Sequence, residues 1–252
     1  MSEFLLELFS EEIPPNLQIS ARNNLVNNFI NFFEKENIKY DKNFSSLSSP
    51  NRLIIHFKNI QNELIKNSKE IRGPRSDVNE DALNGFLSSN QISNNKIYKK
   101  KVDKTEYYFY KTLKKTIKTK KILEENIPSL LAKIKWKKSM RWGTYDLYWG
   151  RPLKSIMAIY DGKILKFKYH HLLSSNKTFI DTNFEDKTKA FKDFKSYKKF
   201  FKNQNIIVDQ NERREYILKN LVKLSKLKNH KIFIKDRLID QVVNILDKPN
   251  IL

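Results

Sequence analysis

The stretch Phe4-Leu5-Leu6-Glu7-Leu8-Phe9-Ser10-Glu11-Glu12-Ile13-Pro14-Pro15 decides how this chain is built. Its first six residues form a short apolar run suited to a buried strand, and Ser10 with the Pro14-Pro15 pair ends it. Beyond the prolines, Leu17, Ala21, Leu25 and Phe29 recur every four residues, which lays one apolar stripe on a helix reaching about Glu36. A second strand is expected over Arg52 to Phe57, where Ile54 and Ile55 on opposite faces suggest a central position.

Further along, Arg72-Gly73-Pro74-Arg75 reads as a turn, followed by a short helix around Asp81 to Leu87. Ile97 to Val102 and Tyr107 to Leu113 read as neighbouring strands joined near Asp103-Lys104-Thr105. Leu123, Ile127, Leu130 and Ile134 keep helical spacing, with Pro128 marking a kink or the first turn of a new helix. Ile156 to Tyr160 and Ile164 to Tyr169 flank Asp161-Gly162, a hairpin signal. After Phe184 the pattern predicts a helix at Tyr197 to Phe201 and a strand at Ile206 to Val208. Two helices then follow, with apolar positions at Ile217, Leu221 and Val222 and at Leu238, Val242 and Ile245. Strands and helices intermix without regular alternation. The expectation is an α+β fold: a strand-rich domain with flanking helices over residues 1–184 and a smaller, mainly helical segment over 185–252.

At 252 residues the chain can bury a real core as one large domain or two small ones. Lys and Arg number 49 against 28 Asp and Glu, a formal net charge of +21. That excess favours an anionic partner such as a phosphate backbone. A coding bias toward Asn, Lys, Ile, Phe and Tyr would produce the same excess without selection for nucleic acid. No cysteine is present, which excludes disulfide frameworks and thiolate zinc sites. No apolar run approaches the ~20 residues that span a bilayer. Glu7, Glu11 and Glu12 near the start do not suit a signal peptide. A soluble cytoplasmic protein is the expectation.

A phosphate loop of the Gly-x-x-x-x-Gly-Lys-Ser/Thr kind is missing, and five scattered glycines cannot build one. His56 falls in a predicted strand and reads as a packed or surface residue. His170 and His171 are adjacent and would point to opposite faces, so a metal site is not expected. From Lys99 to Lys138 there are fourteen lysines and four acidic residues, a net +10 in 40 residues. Tyr107, Tyr108, Tyr110 and Trp136 are interleaved there, a pattern suited to base stacking beside phosphate contact. The competing reading is a solvated lysine face with its aromatics in the core. The arginines Arg52, Arg72, Arg75, Arg141 and Arg151 fall at predicted loops or strand ends. Their guanidinium forks suit phosphate or carboxylate, although each could instead lock a loop by bonding backbone carbonyls, Glu11 or Glu12.

Lys137-Lys138-Ser139-Met140-Arg141-Trp142-Gly143 joins three cations, a thioether, an indole and a glycine in seven residues, with Met140 and Trp142 as expected packing anchors. This run resembles a signature of the β subunit of the bacterial, tetrameric glycine–tRNA ligase. The opening Phe4 to Pro14 is similar to the start of that subunit. Ser49-Pro50-Asn51-Arg52-Leu53 resembles its Pro-Arg-Arg-Leu-type turn with Asn51 in place of one Arg. Arg72-Gly73-Pro74-Arg75, Ala82-Leu83-Asn84-Gly85-Phe86 and Arg151-Pro152 follow in family order. The family's Ser-Gly-Arg-Thr run leading to Gly-His-Arg-Phe is altered to Ser175-Asn176-Lys177-Thr178 and then Asp181-Thr182-Asn183-Phe184, which removes its His-Arg pair.

The resemblance covers essentially the whole chain and implies the N-terminal portion of a longer subunit, from a truncated gene or an incomplete reading frame. Further helical, tRNA-body and anticodon-binding domains would follow it. It implies no catalytic residue here and no cofactor bound by this chain: ATP with magnesium, and glycine, belong at the partner α subunit. The expected partners are that α subunit, in an assembly of two α and two β chains, and tRNA(Gly), with neither membrane nor DNA. Candidate tRNA- or partner-binding residues are Arg52, Arg72, Arg75, Lys137, Lys138, Arg141, Trp142, Arg151 and Lys177. The alternatives are a free-standing basic RNA-binding module and a non-functional remnant.

Overall fold

The Ser2–Ser10 strand lies between Arg52–Ile60 and Leu153–Tyr160 and pairs antiparallel with both. The computed structural model describes residues 2–66, 68–180 and 187–251. They form two compact units, one of residues 1–62 with 119–252 and the other of residues 63–118. The Asp181-Thr182-Asn183-Phe184 run, and the boundary expected after residue 184, lie outside the described residues.

In the larger unit the sheet has seven strands. Outward from Ser2–Ser10 lie Arg52–Ile60 and then Ser45–Ser49 on one side. On the other lie Leu153–Tyr160, Leu172–Ser175 and Lys168–Tyr169. Leu153–Tyr160 meets Leu172–Ser175 in parallel, so the sheet is mixed. Both faces of the central strand are covered, and this accounts for apolar residues on both sides of its Phe4–Phe9 run, Glu7 apart. Phe4 faces the helix Pro15–Lys35, with its ring 5.4 Å from Phe29 and 6.4 Å from Phe57. Leu17, Ala21, Leu25, Phe29 and Phe33 of that helix are buried, as the four-residue spacing predicts. The neighbouring residue Leu5 points the other way, into a cluster with Ile54, Met157, Phe194, Tyr197 and Phe201. Helix Phe194–Asn203 therefore packs on the opposite face, where each large apolar side chain withdrawn from water contributes roughly 1.5–3 kcal/mol.

Two further helices, Gln210–Leu227 and Asp236–Ile245, are fixed by buried polar groups as well as apolar ones. Arg213 is fully buried and donates to the carbonyls of Val243 (2.8 Å), Ser48 (2.8 Å) and Ile207. Burial pulls its pKa down to about 10, against the opposing pull of Asp247 and Asp209. Gln18 donates to the carbonyls of Ile13 and Asn244, which ties the first helix to the last.

The unit of residues 63–118 holds a two-stranded ribbon, Glu63–Lys66 with Lys115–Lys118, and a three-stranded antiparallel sheet. In that sheet Thr105–Lys111 is central, between Glu70–Arg75 and Ile97–Val102. A helix, Glu80–Asn90, lies over it with the Phe86 ring against Gly73, where an added Cβ would sit 2.9 Å from that ring.

The α+β architecture agrees with the sequence, and four local expectations change. Arg72-Gly73-Pro74-Arg75 is the end of a strand with a register break between Arg72 and Arg75, because Pro74 has no N–H to give the ladder. Ile206 to Val208 is a buried loop whose Ile207 N–H goes to the Asp247 carbonyl. The last helix buries Ile239 and Val243, and leaves Leu238, Val242 and Ile245 at the surface. The Asp161-Gly162 hairpin forms with both residues at positive φ, but its second strand is only Lys163–Ile164, because Lys168–Tyr169 pairs with Leu172–Ser175 instead. Pro128 lies within one continuous helix, Thr119–Ala132. No described helix is long and apolar enough to cross a membrane.

Candidate functional site

The Lys137–Gly143 run enters a small hairpin, Met140–Arg141 paired with Tyr148–Trp149. Gly143 has φ +62°, a left-handed backbone that favours glycine in this turn. The hairpin is held from behind. Trp149 is 1% exposed, with its ring 5.1 Å from Trp136 and 6.1 Å from Tyr169. Trp142 donates its indole N–H to the Trp149 carbonyl at 2.9 Å. Gly150 lets the Trp136 ring approach closely, since a Cβ there would lie 2.4 Å from it. Met140 is 53% exposed, so the packing role expected of it falls to Trp136 and Trp149.

A cleft of about 660 Å³ opens beside the hairpin. Its walls come from Ser10–Pro15, Pro50-Asn51, Trp142, Arg151-Pro152 and Asn244-Ile245. Backbone bonds fix these segments to one another: Ser10 N–H to the Asn51 carbonyl (2.8 Å), Glu11 N–H to Pro152 (2.9 Å) and Ile13 N–H to Pro50 (2.7 Å). Asn51 adds a side-chain bond to the Ser10 carbonyl at 3.2 Å. Trp142 and Arg151 also line a second pocket of about 300 Å³, together with Lys138, Ser139 and Pro14. Four of the motifs that carry the family resemblance, separated by up to about 140 residues, thus meet around one indole and one guanidinium.

The candidate residues divide by environment. Lys137, Lys138 and Arg151 are exposed cations with no ion-pair partner among the described residues, and Lys177, on the strand Lys177–Phe179, is another. Arg141 is exposed and faces Asp146 at 3.7 Å, a surface pair too long and too wet to hold it. Arg72 and Arg75 belong to the 63–118 unit, where Arg75 pairs with exposed Asp77 at 3.2 Å and Arg72 lies 3.5 Å over the Tyr107 ring. The basic run Lys99 to Lys138 is likewise divided between the two units.

Arg52 is corrected. It is 1% exposed, so its guanidinium cannot reach a partner unless the core opens. It lies 3.3 Å from Glu7, donates to the Phe179 carbonyl at 2.6 Å and is sandwiched between the Phe9 and Phe201 rings at 4.7 Å each. Tyr197 donates its hydroxyl to Glu7, which joins helix Phe194–Asn203 to the central strand. Burial pushes the Glu7 carboxyl up, outweighing the opposing pull of Arg52, and pushes the Tyr197 hydroxyl well above its ordinary value. Sequence reasoning missed this network, although a lone acid inside the run Phe4–Phe9 was its signal. It also missed Lys154, which pairs with Glu11 at 2.5 Å in the cleft. His56 is buried against Phe194 at 4.2 Å and bonds Glu3 at 2.6 Å, the packing role expected of it. No group of three His, Cys, Asp or Glu residues among the described ones is arranged to hold a metal ion.

The chain matches the family described as glycyl-tRNA synthetase beta subunit over residues 4–252. It is 32% identical over 257 residues to the glycine–tRNA ligase beta subunit of Rickettsia canadensis (strain McKiel), and 34% identical over 254 residues to that of Rickettsia bellii (strain OSU 85-389). In both comparisons all of this chain is covered, and it spans 38% of the relative's length. With the family matched over nearly every residue, the chain belongs to the glycyl-tRNA synthetase beta subunit family.

Proposed function

We propose that this chain works as the N-terminal portion of a glycine–tRNA ligase β subunit in the cytoplasm, contacting tRNA(Gly) and the α subunit while chemistry proceeds elsewhere. ATP with magnesium, and glycine, are handled by the α subunit, and no residue of this chain is assigned to catalysis. What supports the reading is the meeting of four family-like motifs on one cleft lined by Trp142 and Arg151, with Lys138 in the second pocket that the same two residues line, and with no ion-pair partner for Lys138 or Arg151 among the described residues. Free cations beside an indole suit a phosphate backbone, and Trp142 with the bare Met140 side chain suits a protein contact.

The test pairs two measurements. The tagged chain, co-expressed with the α subunit of the same organism, is expected to retain it through gel filtration. Replacing Lys137, Lys138, Arg141 and Arg151 together by Ala is expected to weaken tRNA(Gly) binding at least about tenfold and to flatten its salt dependence. The chain alone is expected to give no glycine-dependent ATP–pyrophosphate exchange. Failure to hold the α subunit, with tRNA binding untouched by the fourfold variant, would overturn the reading.

A further inference from the structure

The three-stranded sheet of the 63–118 unit has one face backed by its helix, while the other carries exposed Arg72, Tyr98 and Lys100 around buried Phe109. Phe86 approaches from the side of Gly73, which is the Ile71 side of the edge strand. The strand register sends the alternate residues to the other side. Arg72 stands opposite Phe109 and Phe109 opposite Tyr98, while Tyr107 stands opposite Lys100. Two cations on this face lie over rings, Arg72 at 3.5 Å from the Tyr107 centroid and Lys100 at 5.3 Å from that of Phe109, while Lys111, opposite Glu70, and Arg75, paired with Asp77, share the face without a ring. Tyr98 is 39% exposed and stacks on Phe109.

Arg72 is the decisive residue. Its flat face is spent on Tyr107, but its N–H groups have no partner among the described residues. A guanidinium stacked on an aromatic ring with free outward donors is pre-set to take a phosphate while the neighbouring rings take bases. One anion interrupts the face. Glu70 accepts from Lys100 at 2.6 Å and from the Tyr98 hydroxyl, and these bonds hold its carboxyl below the ordinary range.

We propose that this face binds an unpaired RNA strand, with Arg72 on a phosphate and Tyr98 and Tyr107 as stacking platforms. Stacking on rings needs bases that are not already paired, so a duplex, with its bases enclosed, gains only the charge term. RNA rather than DNA as the natural ligand rests on the tRNA-binding reading, and the unpaired part of a tRNA is what the face would take.

The probe is a labelled single-stranded RNA of about 12 nucleotides, titrated with the full chain against a duplex of equal length and inorganic polyphosphate. The single strand is expected to bind best. Arg72→Ala and Tyr107→Ala should each weaken it about tenfold. Tyr107→Phe keeps the ring and should bind like the parent, which separates lost stacking from lost folding. Arg72→Lys keeps the charge and should still lose most of the affinity, whereas Glu70→Gln should bind a few times tighter by releasing Lys100. Equal binding of polyphosphate or duplex, or parent-like affinity in Arg72→Ala, overturns the site. So does an Arg72→Ala variant that loses only the α subunit, which would make the face a protein contact. Loss of single-strand binding with unchanged tRNA(Gly) affinity sustains the site and removes tRNA as its ligand. Intact tRNA(Gly) binding without any single-strand binding removes the site and leaves the Trp142 cleft in place.

Discussion

Arg52 and Arg72 look alike in the sequence, each in or beside a strand within a family-like motif, and the two units put them to opposite uses. Among the described residues, 48 apolar side chains are buried; 46 belong to the larger unit and two, Leu64 and Phe109, to residues 63–118. A deep core can enclose a guanidinium beside a counter-charge, a carbonyl and aromatic faces, and Arg52 has Glu7, the Phe179 carbonyl and two rings, although its Nε and Nη1 make no hydrogen bond among the described residues. A unit with so thin a core has no interior to offer, so Arg72 remains at the surface with its donors unused among the described residues and Arg75 has only exposed Asp77 to pair with. Whether a cation becomes a brace or a contact is decided by the depth of packing around it.

The largest effect that would break this contrast is at Glu7. Glu7→Ala leaves Arg52 buried without its counter-charge and Tyr197 without its acceptor, so unfolding in denaturant should show a loss of about 3–5 kcal/mol. Arg72→Ala removes only surface contacts and should cost within about 0.5 kcal/mol. Comparable losses at the two positions would sink the comparison. A pH series sharpens it. Burial raises the Glu7 carboxyl in the folded chain, so as pH rises past the ordinary value of 4.5 the unfolded chain releases this proton first. Stability from this group is therefore full below that pH and is lost as pH climbs through the raised folded value. Glu7→Gln, which cannot ionise, should flatten that part of the stability profile. A profile as steep as the parent's would show that Glu7 is not the group responsible.

A second contrast is between glycines. Gly150 admits the Trp136 ring, and a methyl group there would overlap it. Gly150→Ala should cost about 1–3 kcal/mol and shift tryptophan fluorescence as the hairpin is displaced. An unshifted spectrum with parent stability would mean that the Trp136–Trp149 packing does not position the Trp142 hairpin.

Much of this was legible. The apolar run Phe4–Phe9 and the stripe Leu17, Ala21, Leu25, Phe29 describe a strand and helix that each bury one consistent set of residues, so pattern alone identifies them. Thr105–Lys111 and its neighbour Ile97–Val102 were found from β-forming residues around Asp103, whose φ is +56°. What pattern could not supply was depth. Leu238, Val242 and Ile245 make as good a helical stripe as Ile239 and Val243, and only the neighbouring helix selects the second. Ile206 to Val208 has strand composition, but the Ile207 carbonyl is taken by the Arg213 side chain and its N–H by the Asp247 carbonyl, and no apolar periodicity announces either bond. At the candidate cleft, Trp142 and Arg151 stood out by the motifs they sit in, whereas the segments that enclose them became neighbours only through long-range backbone bonds.

A small effect of the opposite sign, a gain in stability, is expected at Gly85, inside the helix Glu80–Asn90, none of whose residues is buried. An added Cβ there would meet nothing within 4 Å. Glycine in a helix interior costs roughly 0.5–1 kcal/mol relative to alanine, so Gly85→Ala should stabilise the 63–118 unit by about that amount. Amide exchange of residues 80–90 should slow accordingly, while exchange in the Ser2–Ser10 strand stays as it was. The position lies within Ala82-Leu83-Asn84-Gly85-Phe86, one of the family-like motifs, yet no contact in the folded chain calls for a glycine. Gly85→Ala that slows exchange and weakens single-strand RNA or α-subunit binding would mean that a ligand approaches the bare backbone here. Slower exchange with unchanged binding would show that the thin unit tolerates a stabilised helix, and would confine its contact surface to the sheet face bearing Arg72 and Tyr107.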